Sequence, residues 1–209
     1  MTEHNALHTI GDSELHEDKG VASANDREIF FSDGAQSGGW HPLLETAGSW
    51  TYSTDVAEIE FTGLDEYCML QVDLVGITLG SASDQYIGAV LGNDGGYTTS
   101  SNYFDIWWGS AANGSNSKTF LPLLYFRDNA PFNSHLNISS ALICNFNTPR
   151  YTIAHSQYVG LSTTGNVLDF RSSTHWVRET VAYNKVKFIT EISDFTGGSI
   201  VVSGYRYGA

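Results

Sequence analysis

The most constraining feature of the chain is a period-two alternation across residues 57–77. Ala57, Ile59 and Phe61 are apolar, and Glu58 and Glu60 between them are charged. Leu70, Val72 and Leu74 alternate in the same way with Gln71 and Asp73. Successive side chains of a strand point to opposite faces, so each run presents one apolar and one wet face. Thr62, Gly63, Leu64, Asp65 and Glu66 form a polar corner between the runs. The pattern predicts two antiparallel strands joined by a short connection.

The same grammar continues downstream. Residues 86–91 read as a strand, and Asn93, Asp94, Gly95 and Gly96 as a tight turn, because these residues tolerate positive φ. Residues 97–108 form a further strand region with Tyr103, Phe104, Ile106, Trp107 and Trp108. Residues 109–118 read as an exposed loop. Residues 120–126 form a strand that Pro122 moves towards a sheet edge, since proline cannot donate to a ladder. Residues 136–146 and 151–158 form a hairpin around Pro149, followed by a short polar strand near 168–171. The last pair has Val186, Phe188 and Ile192 on one face and ends in a strand over 199–207. About ten strands and no amphipathic helix predict an all-β fold, an antiparallel jelly-roll-like β-sandwich with an extended N-terminal arm. The expected division is an acidic arm and clamp over 1–49 and a sandwich over 50–209.

Composition agrees. Aromatics make up 13% and there are 21 glycines, with only 16% charged residues, which suits a turn-rich sandwich rather than a helical bundle. The net charge of −13 repels phosphate backbones, so nucleic acid is not an expected partner. Residues 1–28 hold seven acids against two bases and little that is apolar, the composition of a segment that orders on a partner. His4, His8 and His16 lie in that segment without a carboxylate or cysteine that completes a metal-binding spacing. No apolar run is long enough for a membrane helix and no secretory leader is legible, so synthesis in a cytoplasm and no membrane insertion are expected. Cys68 and Cys144 make no disulfide framework, and whether they pair stays open. No metal or cofactor is expected.

Catalytic signatures are scarce. Asp73, Asp84, Asp94, Asp105 and Asp169 are scattered over different strands and turns, whereas a glycosidase needs two carboxylates across one cleft. A Cys144/His155 pair falls on adjacent strands, but Cys144 reads as a core residue with no oxyanion-hole motif beside it. The expectation is therefore a chain that is not an enzyme. Glycan binding is the better chemical alternative, because sugar rings stack on exposed aromatics. Trp107 and Trp108, and Trp176 beside His175 in a polar loop context, are the candidate contacts.

One resemblance adds to this. Phe61, Gly63, Leu64 and Tyr67, then Leu70, Val72, Leu74, Gly76 and Ile77, are followed by Asp94, Gly95 and Tyr97 and by a closing Gly197, Gly198, Ser199, Ile200, Val202 and Gly204. In order and spacing this resembles small β-sandwich domains of virion proteins from tailed bacteriophages and gene transfer agents. The resemblance covers residues 50–207 and implies a structural or adhesive virion domain without catalytic residues. It implies localisation in a virion as a head decoration or spike, a neck component or a tail component. The implied partners are other virion proteins and copies of the chain itself in a homo-oligomer. The alternative is a carbohydrate-binding, host-adhesion domain of such a particle, with a host surface glycan as partner.

Overall fold

The computed structural model describes residues 28–32, 38–42, 44–81, 85–98, 103–108, 117–126, 137–162 and 167–206. His4, His8, His16, Asp84 and most of the 109–118 loop lie outside the described residues. The described residues fall into two compact units, one within residues 1–44 and the other over residues 45–206. In the first, β1 (Glu28–Ser32) and β2 (Gly38–Pro42) pair antiparallel, with Phe30 opposite Trp40.

The second unit is an antiparallel β-sandwich, and no helix occurs among the described residues. Its strands are β3 (Glu45–Thr51), β4 (Glu58–Phe61), β5 (Tyr67–Leu79), β6 (Gln85–Asn93), β7 (Gly96–Tyr97), β8 (Tyr103–Trp108), β9 (Ser117–Lys118), β10 (Leu121–Phe126), β11 (Ile138–Cys144), β12 (Ile153–Ser162), β13 (Val167–Val177), β14 (Lys185–Thr190) and β15 (Phe195–Arg206). The larger sheet runs β3-β15-β5-β11-β12-β13-β8-β9. The smaller runs β10-β6-β14-β4, with β7 hydrogen-bonded to β6. The chain crosses repeatedly between the sheets, as a jelly-roll-like sandwich requires. The strand at Glu45 places the expected 49/50 boundary inside β3.

The expected hairpin at 57–77 is corrected. Both strands form, but β4 pairs with β14 in the smaller sheet and β5 with β15 and β11 in the larger. The corner carries the chain across the sandwich instead of turning it back. Leu64 explains why: it is only 1% exposed and anchors the crossing in the core, its N–H donating to the Asn184 carbonyl at 2.9 Å. Alternation reports one buried face per strand and is silent on which neighbour the strand takes.

The core lies between the sheets. Leu70, Val72, Leu74, Ile143, Ile200 and Val202 of the larger sheet face Ile87, Ala89, Leu91, Leu121, Val186 and Phe188 of the smaller. In β5 the inward positions change parity, from Leu70, Val72 and Leu74 to Ile77. In β15 they change from Phe195 to Ile200, Val202 and Gly204. Two adjacent β-bulges produce the changes: Thr196 is an extra residue of β15 between the Phe195–Leu79 and Gly197–Thr78 pairs, and the next bulge adds a residue to β5. Gly76 and Ile77 of β5 oppose the single residue Gly198 of β15, and Gly76 and Gly198 have φ of +60° and +96°. The amide of buried Asn137 takes the place of a ladder partner. Its Oδ1 accepts from the Ile77 N–H at 2.8 Å and its Nδ2 donates to the Ile77 carbonyl at 2.7 Å.

Pro122 behaves as expected, with β10 at an edge and a register shift between Pro122 and Leu124. The shifted residue, Leu123, has its carbonyl bonded by the buried Ser139 hydroxyl at 3.0 Å, which ties the sheets together. Ile192 is corrected: it is 60% exposed, in the turn after β14, and does not join Val186 and Phe188 in the core.

The bulge carries a test. A Cβ on Gly198 would meet the Gly76 carbonyl oxygen and the Ile77 Cα at 2.6 Å, on top of the positive φ. Gly63 also has positive φ, +71°, but open space around it. Gly63→Ala is expected to cost about 1–2 kcal/mol in urea unfolding, and Gly198→Ala about 3 kcal/mol or more. Equal losses would contradict the role given to the bulge.

Candidate functional site

Four strands of the larger sheet, β5, β11, β12 and β13, carry an ordered set of side chains on the face turned away from the core. Register defines four rows. Val75, Ile138 and Val159 form one apolar row. Asp73, Ser140, Gln157 and Ser172 form the next, and Gln71, Leu142, His155 and Thr174 the third. Met69, Cys144, Ile153 and Trp176 form the last. Two mainly polar rows are thus flanked by two apolar ones. Ile138 is 57% exposed and Ile153 45%, so the face is open to solvent.

The polar rows are linked. His155 Nδ1 is 3.2 Å from Thr174 Oγ1, and its Nε2 is 3.3 Å from Gln157 Nε2 and 3.4 Å from Ser172 Oγ. Gln71 Nε2 donates to Asp73 Oδ2 at 3.0 Å. Tyr151, 57% exposed, precedes Ile153 at one end of the face.

Trp176 is corrected from a loop to β13, where it is half-buried and pairs in register with Ile153 and Phe104. Trp107 and Trp108 lie in β8, in register with Ser173 and Ser172. The pairing thus puts Trp108 and Trp176 on neighbouring strands of one sheet. Asp73 is on β5, Asp94 in the β6–β7 turn, Asp105 on β8 and Asp169 on β13. Cys144 is opposite Ile153 and His155 opposite Leu142, so they are not register partners. The Cys144 thiol contacts Met69 Sδ at 3.6 Å, and burial raises its pKa, the opposite of what a nucleophile needs. Cys68 and Cys144 are both free thiols. Residue typing missed the polar rows because each strand contributes only two of their members.

The opposite face of β12 and β13 holds a buried polar cluster. Ser173 Oγ is 2.7 Å from both Ser156 Oγ and His175 Nε2. His175 is fully buried, and both serines are 2% exposed. The grouping has nucleophile and base chemistry but no approach for a substrate, and it sits in the core as a polar insert hydrogen-bonded through the serine hydroxyls and His175 Nε2. Burial, with a smaller contribution from His155, lowers the His175 pKa from 6.5 to about 3.

A shallow cleft of about 300 Å³ opens beside the β6–β7 turn, lined by Asn93, Gly95, Gly96, Tyr97, Thr98, Glu179 and Val181. Thr98 Oγ1 donates to Glu179 Oε2 at 2.9 Å, and the Tyr183 hydroxyl to the same oxygen at 3.3 Å. Tyr97 is pinned beside it: its hydroxyl donates to Glu60, and Lys185 and Lys187 sit over its ring at 4.8 and 4.7 Å. Burial pushes the Tyr97 phenol upward, aided by the Glu60 hydrogen bond. Among the described residues no group of three or more His, Cys, Asp or Glu side chains is placed to hold a metal ion.

No family model matches the chain, and no curated protein does. Among solved structures, it is similar to scytalido-glutamic peptidase bound to a transition state analog inhibitor, at 11% identity and a TM-score of 0.27, over 72% of this chain and 75% of that one. The expectation of a chain that is not an enzyme is corrected on this finding. The similar structure is an enzyme, so absence of activity is not retained as a conclusion. At that TM-score the likeness assigns no reaction to this chain.

His175 yields a pH prediction. Its folded pKa lies below that of the unfolded imidazole, so folding is unaffected above pH 6.5. As pH falls from 6.5 towards 3, the unfolded chain takes up a proton that the folded site refuses. Stability contributed by this site then falls by about 1.4 kcal/mol per pH unit. In urea unfolding from pH 7 to 4, wild type should lose its stability margin over His175→Gln; a margin independent of pH would contradict the reading.

Proposed function

We propose that the chain is a structural protein of a tailed-phage or phage-like virion, a head decoration or spike, neck or tail component, whose copies join through the edge strand β3. Support for the virion setting is the resemblance over residues 61–77, 93–97 and 196–205. Those residues build the Leu64 crossing, β5, the β6–β7 turn and β15. They belong to the sandwich's framework.

The observation that carries assembly is the unequal protection of the sheet edges. An exposed edge strand is a template for another strand, and proteins guard edges with charge, proline, bulges or brevity. Edge strand β10 has Pro122 and a register shift. Strand β4 has four residues with Glu58 and Glu60, and Glu58 pairs with Lys187 at 2.9 Å. Strand β9 has two residues and carries Lys118. Strand β3 is different. Its acid, Glu45, is taken up by Arg206 at 2.6 Å and by the Tyr67 hydroxyl at 2.7 Å. Beyond a register shift near Ala47, the stretch Gly48, Ser49, Trp50 and Thr51 holds no charge and no proline. Among the described residues β3 has a sheet neighbour, β15, on one side alone. A second copy offering the same edge would continue the larger sheet across a two-fold axis.

Ser49 and Thr51 are exposed, so lysines there guard the edge without entering the core. The wild-type chain is expected to be an oligomer in solution. Ser49→Lys combined with Thr51→Lys should give a monomer whose unfolding free energy lies within about 0.5 kcal/mol of wild type diluted to its monomer. An oligomer that survives both lysines, or a monomeric wild type, would overturn the edge as the assembly element.

A further inference from the structure

We propose that the open face of β5, β11, β12 and β13 is a binding site for a neutral oligosaccharide. This goes beyond assembly through β3 and does not depend on it.

The face has the wrong make-up for a subunit interface. Its apolar rows, Val75 with Ile138 and Ile153 with Trp176, are held apart by two rows of polar side chains. Covering Asp73, Ser140, Gln157, Ser172, Gln71, His155 and Thr174 with protein strands their hydrogen-bonding groups unless a partner matches each one, and an unmatched buried polar group is costly. A sugar brings its own hydroxyls, each both donor and acceptor, and solves that problem.

The hydrogen-bonding capacity suits such a ligand. The contacts among His155, Gln157, Ser172 and Thr174 fix these side chains relative to one another. They use only part of what the groups offer, since an amide has two donors and an acceptor oxygen, and a hydroxyl donates once and accepts twice. Gln157 and Ser140 are exposed and in register, so their outward groups sit side by side. This arrangement holds polar groups ready before the ligand arrives, which limits the ordering cost of binding.

The apolar end completes the site. Trp176, Ile153 and Tyr151 provide ring and aliphatic surface against which the C–H face of a pyranose packs. Same-face residues in a strand are ~7 Å apart, so the strip from Trp176 through Thr174 to Ser172 runs ~14 Å, enough for a short oligosaccharide.

Charge selects the class. The polar rows contain one carboxylate, Asp73, and no lysine or arginine, on a chain of net charge −13. A sulfated, uronic or sialylated glycan finds no cation in these rows to pair with, whereas Asp73 serves a neutral sugar as a hydroxyl acceptor.

The test is a glycan array of neutral gluco-, galacto- and manno-configured oligosaccharides with uronate and sialylated controls, probed with the full chain and followed by calorimetry on the oligosaccharides that bind. Binding to at least one neutral oligosaccharide is expected, weakened about tenfold or more by Gln157→Ala and by His155→Ala. Trp176→Ala should weaken it as well. Gln157 and His155 are exposed, so their variants keep the fold, and matching unfolding curves verify this. No neutral oligosaccharide bound, binding confined to anionic glycans, or binding indifferent to both Gln157→Ala and His155→Ala would each overturn the proposal.

Discussion

The sandwich depends on the bulge shared by β5 and β15. These are its two longest strands and they lie side by side in the larger sheet. A regular antiparallel pair of that length keeps one parity and one gentle twist. Here Gly76 and Gly198 let the backbones approach, and Asn137 satisfies the Ile77 amide and carbonyl that the bulge removes from the ladder. The result is that Leu74 and Ile77 both face inward, and the adjoining extra residue of β15, Thr196, lets Phe195 and Ile200 do the same. Without these two irregularities, one half of each strand would turn its apolar side chains to water. The turn at Gly198 also positions the end of β3, whose following residue, Tyr52, donates its N–H to the Gly198 carbonyl.

A second habit of the structure is to lay aromatic rings over glycines. Phe61 covers Gly48, Phe120 covers Gly88, Tyr97 covers Gly92 and Tyr67 covers Gly204, each so closely that a Cβ would collide with the ring. Glycine in a strand gives up side-chain packing, and a ring from a neighbouring segment restores it. At these four positions glycine and aromatic ring are two halves of one contact. The sheet faces divide the remaining work. The inner face of β12 and β13 holds Ser156, Ser173 and His175 in hydrogen bonds centred on the Ser173 hydroxyl, and the outer face keeps its polar groups accessible.

Elements set by local chemistry were legible in the amino-acid sequence. Strand β5 followed from its alternation, the β11–β12 hairpin from Pro149 and its neighbours, and the edge position of β10 from Pro122. Elements set by long-range register were not. Nothing local says that β4 pairs with β14 rather than β5, or that Ile77 changes parity after Gly76. Trp176 read as a loop residue because Ser172, Ser173 and Thr174 mask a strand whose outer face is polar. The open face was illegible for the same reason. Gln157, Ser140 and Asp73 lie far apart in sequence and meet only through the pairing of β12, β11 and β5.

Assembly as proposed rests on the edge of β3, which among the described residues has β15 as its one sheet neighbour. Hydrogen–deuterium exchange of the amides of residues 48–52, followed as the protein is diluted, tests it most directly. Half of the amides in an edge strand point away from the sheet and exchange quickly unless another strand covers them. Outward amides are expected to be protected in concentrated protein and to become fast on dilution, while those of β15 stay protected throughout. Outward amides that exchange quickly at every concentration would contradict it.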